Sequence, residues 1–333
     1  SRGLGDVYKR QVFHMNAELI ISNGGSLQVP PVKEGISWEL ERKGVPGKLS
    51  FTVMPDGGLS FQEGNAVRLT IDGVNLFYGF VFQKKSSRDG TISVTAYDQL
   101  RYLKNKDTYV YGNKTASELI KMIAQDFRLN CGVIEDTGFR IQSRVEDNKT
   151  LFDIIQTALD LTLQSRGRLY VLYDDFGRLA LKDAENMKTN ILIDSEAGEN
   201  YDYTSSIDGE TYNRIKLAYE NEESGKRDIY IAQDGQRIND WGVLQYFETM
   251  RDNANGRAKA DALLSLHNQK TRNLTIKNAF GDLRVRAGSS VAVMMDLGDI
   301  SIKNYMMAEK VKHTFNNGLH TMDLTLRGGV FVA

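Results

Sequence analysis

From Met15 to about Leu103, apolar and polar residues alternate over short runs. Residues 17–21 open with a short apolar strand. Ile36-Ser37-Trp38-Glu39-Leu40 and Leu49-Ser50-Phe51-Thr52-Val53 alternate with the period of two that a half-buried strand requires, and Pro55-Asp56-Gly57-Gly58 stops the second run. Val67, Leu69 and Ile71 share one face of the next strand, with Arg68 and Thr70 on the other. Asp72-Gly73 marks a hairpin turn, residues 76–83 a further strand, and Arg88-Asp89-Gly90 another turn. Ile92, Val94 and Ala96 then point one way. Several short strands at this spacing predict a barrel or sandwich.

After about residue 105 the period lengthens. Thr115-Ala116-Ser117-Glu118 reads as a capping box, and Leu119, Ile120, Ile123, Ala124 and Phe127 continue a helical stripe. A second helix starts near Thr150, with Leu151, Ile154, Ile155 and Ala158 on its inner side. A hairpin follows: residues 168–173, a turn at Asp174-Asp175-Phe176-Gly177, and residues 178–181. Strands return from about Tyr203, with residues 213–219 alternating well. They are interrupted by a helix over about 254–266, and the chain ends in β structure through Val291, Val311 and Leu324.

The expected organisation is therefore a mainly β, α+β chain. A leader at 1–14, non-native or disordered, precedes a β domain at 15–105. An α+β module at 106–203 and a second β domain at 204–333 follow. The two β regions share a faint repeat. Gly64-Asn65-Ala66-Val67 and Gly288-Ser289-Ser290-Val291 each open a strand series; each series passes basic residues (Lys84 and Lys85; Lys310 and Lys312), then a glycine (Gly90; Gly318), into an alternating strand. Pattern alone leaves duplication and coincidence equally open.

Composition narrows the function classes. With 333 residues, a net charge of −1 and no apolar run approaching a membrane span, nothing argues for nucleic-acid binding by overall charge or for membrane insertion. The single cysteine, Cys131, excludes an intrachain disulfide framework. Candidate chemistry reads as structure. Gly44-Val45-Pro46-Gly47-Lys48-Leu49 lacks the first glycine and the final hydroxyl of a phosphate loop, so it is a turn. Asp175-Phe176-Gly177 sits in a hairpin turn without other kinase motifs. Cys131 has no histidine near it in sequence and reads as a buried or edge thiol. His313, on the face of Val311 and Phe315, reads as a hydrogen-bonded core residue, and His320 as pointing inward. Glu220, Glu222 and Glu223 read as a solvated loop. No catalytic, metal-binding or cofactor-binding residue is assigned. The helix at Thr115, preceded by Tyr109–Lys114, loosely resembles a LysM peptidoglycan-binding module, which makes a peptidoglycan-binding adaptor the alternative reading.

Six stretches carry a wider resemblance: residues 96–103 (AYDQLRYL), 150–155 (TLFDII), 167–177 (GRLYVLYDDFG), 212–215 (YNRI), 241–247 (WGVLQYF) and 322–329 (MDLTLRGG). In this order and spacing they resemble the XkdQ family of phage-like tail proteins of Gram-positive bacteria, related to gene D-type tail hub proteins. The resemblance implies two tube-like β-barrel domains separated by the smaller α+β module. It implies a non-enzymatic baseplate hub subunit of a contractile tail, joining tube to central spike as a homotrimer around a channel. The implied partners are the tail tube protein, the spike, other baseplate proteins, the tape-measure protein, and DNA in transit. Assembly would take place in the bacterial host cytoplasm. The strands around Val67–Ile71 and Val291–Val293 are the expected interface strands.

Overall fold

The computed structural model describes residues 15–55, 57–198, 200–221, 225–250, 255–296 and 301–328; the leader, Glu222 and Glu223 lie outside them. The first half holds β1 (Ala17–Asn23), β2 (Ser26–Gln28), β3 (Val32–Glu41), β4 (Lys48–Val53), β5 (Ala66–Ile71), β6 (Val74–Ser86) and β7 (Ile92–Tyr97). They pair in the order β3-β4-β7-β6-β5-β1-β2, all antiparallel. The period-two pattern does this work: β4 and β5 bury every second residue, and those residues with Trp38, Phe77 and Val94 form one core.

A module follows, opened by a 3-10 turn at Gln99–Lys104. It holds β8 (Lys106–Tyr111), α1 (Ala116–Asp126), β9 (Cys131–Ile134), β10 (Arg144–Thr150), α2 (Leu151–Arg166), β11 (Tyr170–Asp174) and β12 (Leu179–Asp183). Both expected helix starts form. Thr115 and Glu118 exchange side-chain to backbone bonds as a full capping box, and Thr150 Oγ1 accepts from the Asp153 amide. Helix α2 stops at Gly167, whose left-handed φ of 66° is cheap only for glycine. The helices pack on each other and on the sheet β11-β12-β9 through Leu119, Ile123, Ile154 and Leu181.

The second half begins with β13 (Lys188–Asp194), upstream of residue 204, and β14 (Asn200–Ser206), which spans it. Next comes an inserted module of β15 (Arg214–Asn221), β16 (Lys226–Gln233), α3 (Gly235–Trp241), β17 (Gln245–Met250) and α4 (Gly256–His267), with its own sheet and core. The chain then completes the half with β18 (Thr271–Phe280), β19 (Ser290–Asp296), β20 (Ser301–Asn316) and β21 (Leu319–Gly328), paired in the order β14-β18-β21-β20-β19-β13.

The two halves match strand by strand. In chain order β1, β3, β4, β5, β6 and β7 correspond to β13, β14, β18, β19, β20 and β21, and the pairing order is the same. The register agrees as well. Gly64 N and Asn65 O bond to Val81, just as Gly288 N and Ser289 O bond to Ala308. Each long strand then bulges at the same point, between Val81 and Gln83 and between Ala308 and Lys310. The departures are β13, which runs parallel to β19 where β1 is antiparallel to β5, and the module inserted between β14 and β18. The faint repeat in the sequence is thus a repeat of topology and hydrogen bonding.

Two separate barrels were expected from the resemblance. The described strands form one continuous 13-stranded ladder, because β3 of the first half pairs with β20 of the second. Among the described pairs none closes either half on itself.

Candidate assembly surface

What a chain of this shape can do depends on what locks its parts and which edges stay open. The first lock is the seam between halves. Strand β20 gives residues 301–307 to β19, and along the same edge gives residues 310–315 to β3. Across the seam Arg42 forms a two-pronged ion pair with Glu309 at 2.9 and 2.8 Å, and Lys310 meets Glu41 at 3.0 Å. The paired-guanidinium geometry suits a site where the Arg42 side chain is nearly buried.

His313 lies in the same seam, fully buried, with its ring stacked 5.0 Å from Trp38. Its Nε2 lies 3.0 Å from the Val285 carbonyl oxygen. A carbonyl only accepts, so Nε2 carries the proton and Nδ1 accepts from His320 Nε2 at 2.9 Å. Burial, with His320 beside it, pulls the His313 pKa down to about 3; burial pulls His320 down to about 4. Both histidines therefore sit where the sequence placed them, pointing inward and hydrogen-bonded.

The second lock joins the middle module to both halves. Asp98, just after β7, accepts from the Gly47 and Leu100 amides at 2.9 and 3.0 Å. Asp174, at the end of β11, accepts from the Gly177 amide at 2.7 Å. Arg286 comes from the loop before β19; it donates to the Asp174 carbonyl at 2.9 Å and lies 3.9 Å from the centre of the Tyr173 ring. Asp174 Oδ2 and Arg286 Nε are buried without a hydrogen-bond partner. Burial, reinforced by Asp174, holds the Asp98 carboxyl well above the usual range, and burial pushes Asp174 up to about 6. Around this polar centre the fit is close. Phe176 packs edge-on to Tyr78, and Gly288, at φ 92°, leaves no room beside Val171 for a side chain. Val171, Met187 and Met307 complete the contact.

The motifs set aside in the sequence fall accordingly. Asp175-Phe176-Gly177 is the β11–β12 turn, and its phenylalanine docks the module. Gly44–Gly47 connects β3 to β4, with Gly47 serving Asp98. Cys131 is an exposed thiol on β9, an outer strand of its sheet. Glu220 is exposed at the end of β15 and paired with Arg227. Sequence reasoning missed the Asp98–Asp174–Arg286 centre. Both aspartates stood inside stretches already singled out, but Arg286 lies in a loop with no periodic signal.

The interface strands need correcting. Val67, Leu69 and Ile71 are buried and β5 is bonded on both sides, as is β19. Their backbone edges are spent inside the chain. Among the described residues of the large sheet, open edges include those of β14, bonded only to β18, of β13, bonded only to β19, of β2, bonded only to β1, and of the end of β6 beyond β5. Among the described residues no helix is long and apolar enough to cross a membrane.

The fold is one shared with phage tail proteins. A tail protein from Neisseria meningitidis MC58 superposes over 95% of this chain and 98% of its own with a TM-score of 0.70 at 12% identity. An E. coli type VI secretion system component, described as structurally similar to the T4 bacteriophage tail proteins gp27 and gp5, superposes over 95% of this chain and 78% of its own with a TM-score of 0.60 at 11% identity. Within that class the chain belongs to the YQBQ-like family, whose model matches residues 36–327. The phage-like element PBSX protein XkdQ of Bacillus subtilis (strain 168) is 32% identical over 305 residues, which cover 88% of this chain and 91% of that protein.

Proposed function

We propose that this chain is the structural hub subunit of a contractile phage-type tail, without catalytic activity. Three copies surround a central channel and join the tail tube to the central spike. The observation that carries this reading is the strand-by-strand duplication. A trimer of duplicated chains offers six equivalent halves to a six-fold tube and three chains to a three-fold spike, which resolves the symmetry mismatch between them. The middle and inserted modules then face neighbouring baseplate proteins, while the tape-measure protein and later DNA pass through the channel. Family membership and the shared tail-protein fold support the same reading. So does the chemistry: His313 and His320 are occupied with each other and with Val285.

The test is electron microscopy of particles from the source cell with antibody against this chain. Label at the tail tip, with three-fold density inside the baseplate, is the expected result. Label along the tube, or tails without this chain, overturns the reading.

A further inference from the structure

The duplication turns the contact inside the chain into a template for a contact between chains. Strand β3 spends its outer edge on β20, with Glu41 opposite Lys310, Glu39 opposite Lys312 and Trp38 opposite His313. The counterpart of β3 is β14, and the counterpart of β20 is β6. Among the described residues β14 bonds only to β18. Among the described residues, the backbone of β6 bonds to β5 over residues 74–80 and, over residues 83–86, only to β7 on the opposite edge. The edge that β20 gives to β3 is thus open in β6, and the strand that would fill it is open in β14.

We propose that β14 of one copy pairs antiparallel with the end of β6 in the next, repeating between chains the seam that β3 and β20 make within one. The occupant of each open edge is a second copy of this chain. This rests on the hub reading and names its subunit contact. The register follows from the internal one. Glu39 lies opposite Lys48, and Lys48 opposite Tyr97; Thr204 lies opposite Asn273, and Asn273 opposite Arg327. Tyr97 and Arg327 in turn face Phe80 and Met307. Glu39 therefore corresponds to Thr204, and Lys312 to Lys85. The contact between chains sets Thr204 opposite Lys85, Ser206 opposite Gln83 and Tyr203 opposite Ser86.

Charge agrees with this pairing. The end of β6 and its turn carry Lys84, Lys85 and Arg88 against the single acid Asp89, whereas β14 carries Asp202 and no cation. The part-buried Arg42–Glu309 pair of the internal seam has Ile207 and Phe82 at its counterpart positions, so the contact between chains lacks that ion pair. It is the weaker of the two seams, and suits copies that join only on assembly. Each of these two edges is a row of unpaired backbone groups, and head-to-tail pairing that closes into a ring covers both in every copy.

The test places cysteines at Lys85→Cys and Thr204→Cys in the full chain carrying Cys131→Ser, and treats assembled particles with a short bismaleimide. The expected result is a covalent trimer at least ten times more abundant than in a control pairing Arg68→Cys with Thr204→Cys. Tails that contain a trimer of this chain by microscopy but give no 85–204 product overturn the contact and leave the hub reading standing. Tails that lack the chain altogether overturn both.

Discussion

The middle module and the inserted module are built alike and fastened differently. Each has a three-stranded sheet, two helices and an apolar core of its own, and the middle module adds the pair β8–β10. The middle module is fixed at a buried polar centre where Asp98, Asp174 and Arg286 bring three parts of the chain together, backed by Val171, Met187 and Met307. Among the described residues the inserted module has no such centre. Among the described residues its apolar core contains no residue from outside it, and Arg327 reaches Glu210 at its base in an ion pair at 2.8 Å whose carboxylate is largely exposed. Helix α4 touches α2 of the middle module, and beside that contact lies a cleft of about 700 Å³, between Gln142 and Leu161 on one side and Met250 and Ala262 on the other. Similar modules can thus be a rigid strut or a separately fastened appendage, depending on whether charge is buried at the joint.

The largest expected effect comes from removing the buried cation. Arg286→Ala strips the guanidinium from the Tyr173 face and from the Asp174 carbonyl, and leaves two buried carboxyls without their nearby positive charge. A loss of about 3 kcal/mol is expected in urea unfolding. Hydrogen exchange should speed up first at the β11–β12 turn. Unchanged stability would mean that apolar packing alone holds the module, and the contrast with the inserted module would collapse.

The same centre should respond to pH, with a definite sign. The Asp174 pKa is raised from 3.8 to about 6 by burial, so its contribution is present at acidic pH and is lost as pH rises through about 6. The seam histidines work the other way. Their pKa values are lowered from 6.5 to about 3 and about 4, so the unfolded chain takes up protons below 6.5 that the folded chain refuses. Stability falls on acidification by up to about 1.4 kcal/mol per pH unit for each histidine. Between pH 4 and 6 the two effects oppose each other. Asp174→Asn keeps the oxygen that accepts from Gly177 and removes the titration, so melting temperature should climb more steeply from pH 4 to 6.5 than in the parent chain. His320→Asn should flatten it.

Much of this architecture is legible in the residues, and the limits are physical. Strands such as β4 and β5 and helices α1 and α2 follow from period and capping, because one face of each is buried and its ends are marked by Thr115, Thr150 and Gly167. The inward direction of His313 follows from its apolar neighbours in β20. The β3–β20 seam does not follow, since pairing between strands some 270 residues apart leaves no local periodic mark. For the same reason the two-sided pairing of β5 and β19, the expected interface strands, leaves no mark in the residues around them. Arg286 escaped notice because a loop cation looks like a surface residue until three segments close over it.

Two smaller changes sharpen the contrast between the modules. Thr115→Ala removes both the side-chain acceptor for the Glu118 amide and the contact with Ser117, at the start of a helix packed in the middle module's own core. A loss of about 1 kcal/mol is expected, read as a lower urea midpoint for the whole chain. Arg327→Ala breaks the pair with Glu210, which is half in water, so global stability should fall by less than about 1 kcal/mol. The effect should be local instead. The strands β15–β17 should exchange their amide hydrogens faster while β3, β20 and β11 keep their rates. If Arg327→Ala slows folding or loosens the β3–β20 seam as strongly as Arg286→Ala loosens the β11–β12 turn, the inserted module is a strut as well, and buried charge is not what separates the two.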